Sequence, residues 1–472
     1  LHTVNQKIKK TLKDMKKKLG FWQQVALIFF TVSGGAYGLE ALVGAVGATW
    51  SIILVIALPL LWAVPVALMV AELSTAIPEE GGYYIWVKRG LGKFWGFQEG
   101  WWTLCYSAVD LALYPVLFVT YLGFFFPALE SANPQITILR WAICVVFIIG
   151  ALLMNLRGTQ AVGTNALANL MLVSFPFLLL TICGLFYGDW SLLKNAFSGE
   201  HLTHTTPAAI ATGLAVVLWN YCGWDNVSTY ASEVENPQKN YPRALSVSLL
   251  IIVLSYLLPL LAGFKATTTP SDWSEGAGWP TIAEKLAGNW LGVLGGIAAL
   301  LSAWALFNSQ LLYISRLPMA MAKDGWLPKK IAKTSSKGSP VTALVIMSVL
   351  AAVFSSLSLG KLMVVDILFY TLGLSLEFCA LIALRKKEPS LARPFRIPLE
   401  NFGLIILSII PLSLALIVAL FSTMGEDGSF VQVGIVAAGV TAGVFIFRRR
   451  SKYLHKNNFF AEALSEHAEV TA

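Results

Sequence analysis

Residues 31–40 read TVSGGAYGLE, inside a stretch that otherwise has the character of a membrane helix, apolar from Phe21 to Phe30 and again in ALVGAVGATW from Ala41. A helix in hydrocarbon must satisfy its own backbone, and irregular chain survives there only where it lines an enclosed cavity. Each interior glycine also weakens a helix by about 1 kcal/mol relative to alanine. Ser33, Gly34 and Gly35 therefore predict a break at mid-membrane, followed by a carboxylate, Glu40. A second interruption, NYCGWDN at 220–226, places asparagine, glycine and aspartate where lipid-facing leucines are expected.

The rest of the chain fits that setting. Of 472 residues 56% are hydrophobic and 13% charged, against roughly 25% charged in soluble domains; mean hydropathy is +0.68. Runs of about 20 apolar residues cross a bilayer core. Twelve are expected, at 21–46, 51–76, 94–126, 137–155, 164–187, 208–232, 244–264, 281–322, 341–359, 363–384, 402–423 and 430–447. The first shows no small-residue cleavage site and is too long for a signal sequence, so it is kept as mature protein.

Lysine and arginine set the orientation. With a cytoplasmic N-terminus, the inner loops and tails hold 29 of the 34, leaving Arg140, Lys194, Lys265, Lys285 and Lys361 outside. That asymmetry follows the positive-inside rule and puts both termini in the cytoplasm. The net charge of +8 is then accounted for by loops facing anionic lipid, without nucleic acid. The five cysteines (Cys105, Cys144, Cys183, Cys222, Cys379) all fall within spans, none with metal-ligand spacing. No phosphate-binding glycine motif points to ATP.

The two interruptions fall in spans one and six, the first members of consecutive sets of five. A small-residue packing face would explain SGGAYG alone; the matching interruption favours an inverted-repeat transporter with its site at the midplane. Five is odd, so the second set enters from the opposite side. The expected organisation is a tail at 1–20, a first repeat at 21–187, an extracellular loop at 188–207, a second repeat at 208–384, two peripheral helices at 385–447 and a tail at 448–472. Both tails are polar and expected to be disordered.

Four separated motifs carry a family resemblance: SGG in span one, PEEGGYYIWVKRGLGKFWGFQEG at 78–100, ASEVENPQKNYPRAL at 231–245 and SRLPMAMAKDGWLP at 315–328. They resemble the amino acid–polyamine–organocation superfamily over about residues 20–385. NYCGWDNVSTYASEVENP and YSAVDLALYPVLF are most similar to its polyamine-uptake and related amino acid permeases. The resemblance implies an all-α membrane protein of twelve transmembrane helices, a LeuT-type fold of five plus five inverted repeats with discontinuous helices one and six, and ion-coupled or exchange transport.

Ionisable groups inside a membrane are functional-site hypotheses by default. Glu40, Glu72, Glu99, Asp110, Asp225, Asp366 and Glu377 are the acidic ones, with almost no basic group at similar depth. Such a lining repels anions and welcomes ammonium, so the expected cargo is cationic. Sixteen helical residues from Phe94 rise about 24 Å, which puts Asp110 near mid-depth. The resemblance to arginine–agmatine exchangers, aligned through GKFWGFQ, implies a polar side chain there against the substrate's basic end.

Asp225 occupies a place where related exchangers carry a glutamate implicated in gating and proton coupling; capping the second half of helix six is the alternative. Trp219 resembles the aromatic that stacks on the substrate's charged end. Ser33, Gly34 and Gly35 would offer N–H groups to a substrate carboxylate, and the carbonyls around Cys222 would hold an amine. Glu40 and Glu377 would hold the distal amine of a long substrate or serve helix contacts. Glu72 and Glu99 are assigned to an inner gate with Arg316, Glu99 also to proton coupling. Asn308 and Gln310 reach the site only if span eight is suitably rotated. The segment PEEGGYYIWVKRGLG is expected to form an interfacial inner-loop helix stopping at Gly90, its aromatics in the headgroup layer.

The function expected is secondary transport of a polyamine or basic amino acid across the plasma membrane by alternating access. Span five has no lysine that could mimic a sodium ion. Proton symport is favoured by the number of buried acids, with sodium or substrate exchange as alternatives; no cofactor or metal is expected. A neutral or broad-specificity amino acid permease is the second reading. A membrane sensor should carry an appended soluble domain, which neither terminus has the length for. Broken helices disfavour a channel, and the five histidines all lie outside the spans, which disfavours an enzyme.

Overall fold

The computed structural model describes residues 18–456 apart from 132, 198–205, 274–277, 357–358 and 424–429, so the lysine-rich N-terminal run and the end of the C-terminal tail lie outside the described residues. The described chain is all helical. Eight helices are long and apolar enough to cross a membrane, and two shorter ones, Phe21–Val32 and Val341–Phe354, are equally apolar. Large apolar side chains such as Val146, Phe186 and Phe402 are exposed on the outer helices. Apolar exposure on this scale suits lipid rather than water.

Helix α1 (Phe21–Val32) starts where the Gln23 side chain accepts the Gly20 N–H at 3.0 Å. It ends where Ser33 turns extended, at φ −143° and ψ 154°. Gly35 and Gly38 then adopt φ of +86° and +93°, left-handed conformations that only glycine takes without strain. Helix α2 (Glu40–Leu58) resumes after this gap and is interrupted again at Gly47, φ 73°. A π turn at Pro59–Ala63 leads into α3 (Val64–Ala76).

The aromatics of helix α4 (Tyr83–Leu91) are packed inside protein rather than displayed on its surface as expected. Tyr83, Tyr84 and Trp86 are fully buried, and Trp86 donates its indole N–H to the Ile77 carbonyl at 3.2 Å. Gly90 is packed on Ala380, so this face of α4 lies against the helix Leu359–Lys387. It runs past Gly90 to Leu91 and stops at Gly92, φ +99°.

Helix α5 (Lys93–Phe125) is followed by α6 (Pro134–Asn155), α7 (Thr159–Phe186) and the short α8 (Trp190–Ala196). Along α5 the residues Glu99, Thr103, Tyr106, Asp110, Tyr114, Leu117 and Tyr121 are spaced three or four apart, which puts all of them on one face. Helix α9 (Pro207–Asn220) gives the second break. The chain turns at Gly223, φ +97°, and continues not as α-helix but as a 3₁₀ segment, Asn226–Glu233.

Helices α10 (Pro237–Phe264), α11 (Gly278–Ala287) and α12 (Asn289–Lys323) follow. The expected span 281–322 is therefore two helices, parted at Gly288 with φ +90°. A single helix of that extent would run about 63 Å, twice a bilayer core of roughly 30 Å. Helices α13 (Val341–Phe354), α14 (Leu359–Lys387), α15 (Asn401–Thr423) and α16 (Phe430–Lys456) complete the bundle.

One end of the bundle gathers basic residues and is tied by ion pairs: Lys88–Asp324 and Lys323–Glu80 at 2.6 and 2.5 Å, and Arg89–Glu388 at 2.5 Å. Glu72, expected beside Arg316, is instead fully buried against the end of α14 and the loop after it. Arg385 donates to both its oxygens at 2.8 and 2.5 Å, Arg393 stands 3.4 Å away, and the Ile397 N–H donates at 2.8 Å.

Candidate functional site

A cavity lies between the two breaks, with walls also from α5, α12 and α14. The first break enters it pressed against α12. A Cβ on Gly34 would stand 2.4 Å from Ser302 Oγ and 2.5 Å from Leu306 Cδ1, and the Ser302 hydroxyl donates to the Gly34 carbonyl at 2.5 Å. Overpacking a close contact costs about 1–3 kcal/mol. Gly34→Ala is therefore expected to lower the melting temperature in detergent and to abolish uptake by reconstituted protein; unchanged uptake would refute this close approach.

The N–H groups of this break are largely spoken for. Ser33 N–H donates to Phe29 O at 2.6 Å, and Gly35 N–H to the Ser33 hydroxyl at 3.1 Å. Gly38 N–H donates to Glu40 Oε2 at 2.6 Å. The carboxylate cradle expected at Ser33, Gly34 and Gly35 thus has two of its three donors engaged within the chain. Ser33 and Gly34 line the cavity; Gly35 does not, and packs on Phe177.

Glu40 is also outside the cavity wall. Its Oε1 accepts from the Tyr121 hydroxyl at 3.2 Å and from the Trp279 N–H at 3.4 Å. With Gly38 on the other oxygen it fastens the break to α5 and α11, so it does not present a free oxygen to a distal amine.

The second break is likewise self-satisfied. The Asn220 carbonyl accepts from the Tyr256 hydroxyl at 2.7 Å, Tyr221 O from the Trp62 indole at 3.2 Å, and Gly223 O from the Asn226 N–H at 3.2 Å. The carbonyls flanking Cys222, expected to hold an amine, already have donors. Cys222 and Trp219 both line the cavity. Trp219 stacks on Tyr114 with ring centres 6.3 Å apart and planes 23° off parallel.

Asp110 faces the cavity from mid-α5 and is almost wholly buried. The Tyr114 hydroxyl, one turn on, lies 3.0 and 3.1 Å from its two oxygens, and Gln310 Nε2 donates to that hydroxyl at 2.7 Å. Across the cavity, α14 presents Asp366 and Tyr370 on one face, with Glu377 two turns from Tyr370 on the same face. Among the described residues, none lining the cavity is lysine, arginine or histidine. Gln310 thus joins the wall, whereas Asn308 turns to Asn155, whose amide donates to it at 3.0 Å. Asp366 was legible as a buried acid, but only the four-three-four spacing of Asp366, Tyr370, Gly373 and Glu377 marks it as part of a polar face.

Asp225, Glu99 and Glu377 form a second acidic group outside the cavity lining. The Tyr370 hydroxyl, which lines the cavity, donates to Asp225 Oδ1 at 2.5 Å. Glu377 is within hydrogen-bond reach of Asp225, and Glu99 accepts from the Thr103 hydroxyl at 3.1 Å. Asp225 sits at the N-cap of the 3₁₀ segment, yet its side chain makes no capping bond. Glu99 is therefore beside Asp225, not Arg316, and Glu377 does not reach the cavity.

Along α12, hydrogen-bonded clusters stand on either side of the stretch that lines the cavity, Ala299–Gln310. At the basic end, Arg316 donates to Glu233 at 3.1 Å and to the Thr159 hydroxyl at 2.5 Å, and Thr159 bonds Glu233 in turn. Leu19 pairs with this segment through N–H bonds to Glu233 O at 2.9 Å and from Glu235 at 3.0 Å. At the other end, Trp279 donates its indole N–H to Ala36 O and Tyr37 its hydroxyl to Gly295 O, each at 2.7 Å.

The profile of the amino acid permease family matches residues 19–446. The chain belongs to that family. This permease is 32% identical over 450 residues to the polyamine transporter PUT1 of Oryza sativa subsp. japonica, covering 92% of this chain and 78% of that one. It is 31% identical over 455 residues to the polyamine transporter RMV1 of Arabidopsis thaliana, covering 96% and 89%. The human cystine/glutamate transporter is 27% identical over 402 residues, 82% of this chain and 77% of its own. The permease is thus a multi-pass membrane transporter and not an enzyme.

Proposed function

We propose that this permease carries a cationic amine, a polyamine or a basic amino acid, across the plasma membrane by alternating access. The observation that carries the reading is the cavity wall: Asp110 and Asp366 line it and, among the described residues, no basic side chain does. A buried carboxylate without a counter-charge is costly, and an ammonium ion supplies both the charge and the N–H donors that are missing. The two named polyamine transporters among its relatives support the same substrate class. The self-satisfied N–H groups of the first break weigh against a substrate carboxylate as the main anchor.

The frame of this proposal is twelve membrane passages in a LeuT-type arrangement. The first passage is α1 with the start of α2, and the sixth is α9 with the 3₁₀ segment. The repeats run over 21–187 and 208–384, with the basic end and both termini in the cytoplasm. Substrate would sit between the two breaks, α5 and α12. Opening toward the cytoplasm would part Arg316 from Glu233; opening outward would part Trp279 and Tyr37 from their carbonyl partners. Asp225 and Glu99, buried with Glu377 and linked to the cavity by Tyr370, are the groups proposed to take the coupling proton. The absence of lysine from α7 fits a carboxylate-borne proton.

The test is uptake of labelled putrescine, spermidine, arginine and leucine into proteoliposomes under imposed pH or sodium gradients. The reading expects the amines to be taken up in preference to leucine and faster when protons flow inward. Preference for leucine would replace it with the neutral amino acid reading. A need for internal amine would point to exchange, and acceleration by sodium alone to sodium coupling.

A further inference from the structure

We infer that Asp366 reads a second ammonium group, so that the cavity takes an aliphatic diamine or polyamine with one nitrogen at Asp110 and another at Asp366. The assignment rests on the reading that the cargo is a cationic amine and adds the number of charges the site counts. Asp366 comes from α14 and Asp110 from α5, and both are buried in the cavity wall. They differ in what they already hold. Asp110 has the Tyr114 hydroxyl against both oxygens, whereas Asp366 Oδ1 has no hydrogen-bond partner.

Gln310 makes the same demand. Its amide nitrogen is committed to the Tyr114 hydroxyl at 2.7 Å, which fixes the amide and leaves Oε1 buried and unpaired. The unpaired buried side-chain atoms among the residues lining the cavity are thus Asp366 Oδ1 and Gln310 Oε1, both acceptors. An ammonium group brings three N–H donors and no acceptor, so it satisfies such atoms without creating new unpaired ones. A monoamine would neutralise one of the two carboxylates that line the cavity. A substrate carboxylate would bring further acceptors to a wall whose unpaired buried side-chain atoms are already acceptors. A diamine meets the charge and the hydrogen bonds together.

The experiment measures binding of labelled putrescine to purified full-length permease in detergent, with unlabelled putrescine, butylamine, arginine and leucine as competitors. Wild type and Asp366→Asn are compared, with Asp366→Glu as the charge-keeping control and monodispersity on gel filtration as the check of folding. Removing a charge-assisted bond from a buried site is expected to weaken putrescine about tenfold or more. Butylamine competition should change far less, so that the preference for two amines over one collapses, and Asp366→Glu should restore part of it. Unchanged putrescine affinity in Asp366→Asn, or equal weakening of both amines, would overturn the assignment. Direct binding of labelled arginine and leucine to wild type is read first: leucine held without arginine or either amine would overturn the cationic-amine reading itself, whereas arginine held without putrescine would overturn the diamine assignment and leave that reading standing.

Discussion

Asp110→Asn is expected to cut the affinity for cationic substrates by about 30-fold or more, while neutral competitors change little. The substitution keeps the shape of the side chain and an oxygen for the Tyr114 hydroxyl, so the wall of α5 should stand as it does now. What disappears is the negative charge. Losing one partner of a buried, hydrogen-bonded charge pair costs about 2–5 kcal/mol, and each 1.4 kcal/mol is about tenfold in binding. Competition binding with putrescine and leucine reads the difference. Equal losses for both would mean that Asp110 serves the packing of α5 rather than the cargo.

Glu72→Ala is expected to be the most destabilising single change, by about 3–5 kcal/mol, because it strands two arginines in a buried place. Glu72 is fully buried and accepts two bonds from Arg385 and one from the Ile397 N–H, with Arg393 at 3.4 Å. The carboxylate thereby pins the loop after α14 to α3. Thermal unfolding in detergent should show a large fall in melting temperature, and Glu72→Gln, which keeps an acceptor but no charge, should recover only part of it. A variant that melts like wild type would show that the loop is held by its other contacts.

The two helix breaks were legible because glycine, serine and asparagine weaken a helix just where the surrounding run is most apolar, and the breaks fall at Ser33–Gly38 and Tyr221–Asp225. The face of α5 could also be read, since spacing of three and four fixes which residues share a side. Partners distant in the chain could not. Glu40 turns from the cavity because Tyr121 and the Trp279 backbone, 81 and 239 residues away, reach its oxygens first. Glu72 prefers Arg385, 313 residues on, to Arg316; depth alone cannot choose between two arginines near the same end of the bundle. Asp366 shows the opposite failure: its type and depth were plain, but its role depends on what else lines the wall. The split of α11 from α12 at Gly288 did leave a signal, the charged pair Glu284 and Lys285 and the Gly288–Asn289 step, which interrupt the apolar run there.

The central claim is that the cavity between the breaks is where the cargo sits, and Cys222 offers the most direct test. It lines the cavity, while Cys105, Cys144, Cys183 and Cys379 do not; these four are replaced by alanine, and retained putrescine uptake is the check of that background. In that background, the rate of Cys222 alkylation by a small maleimide is measured in membranes with and without substrate. The account predicts that putrescine slows alkylation over the same concentration range that saturates uptake, and that leucine does not. An alkylation rate that putrescine leaves unchanged while it is being transported would place the cargo elsewhere.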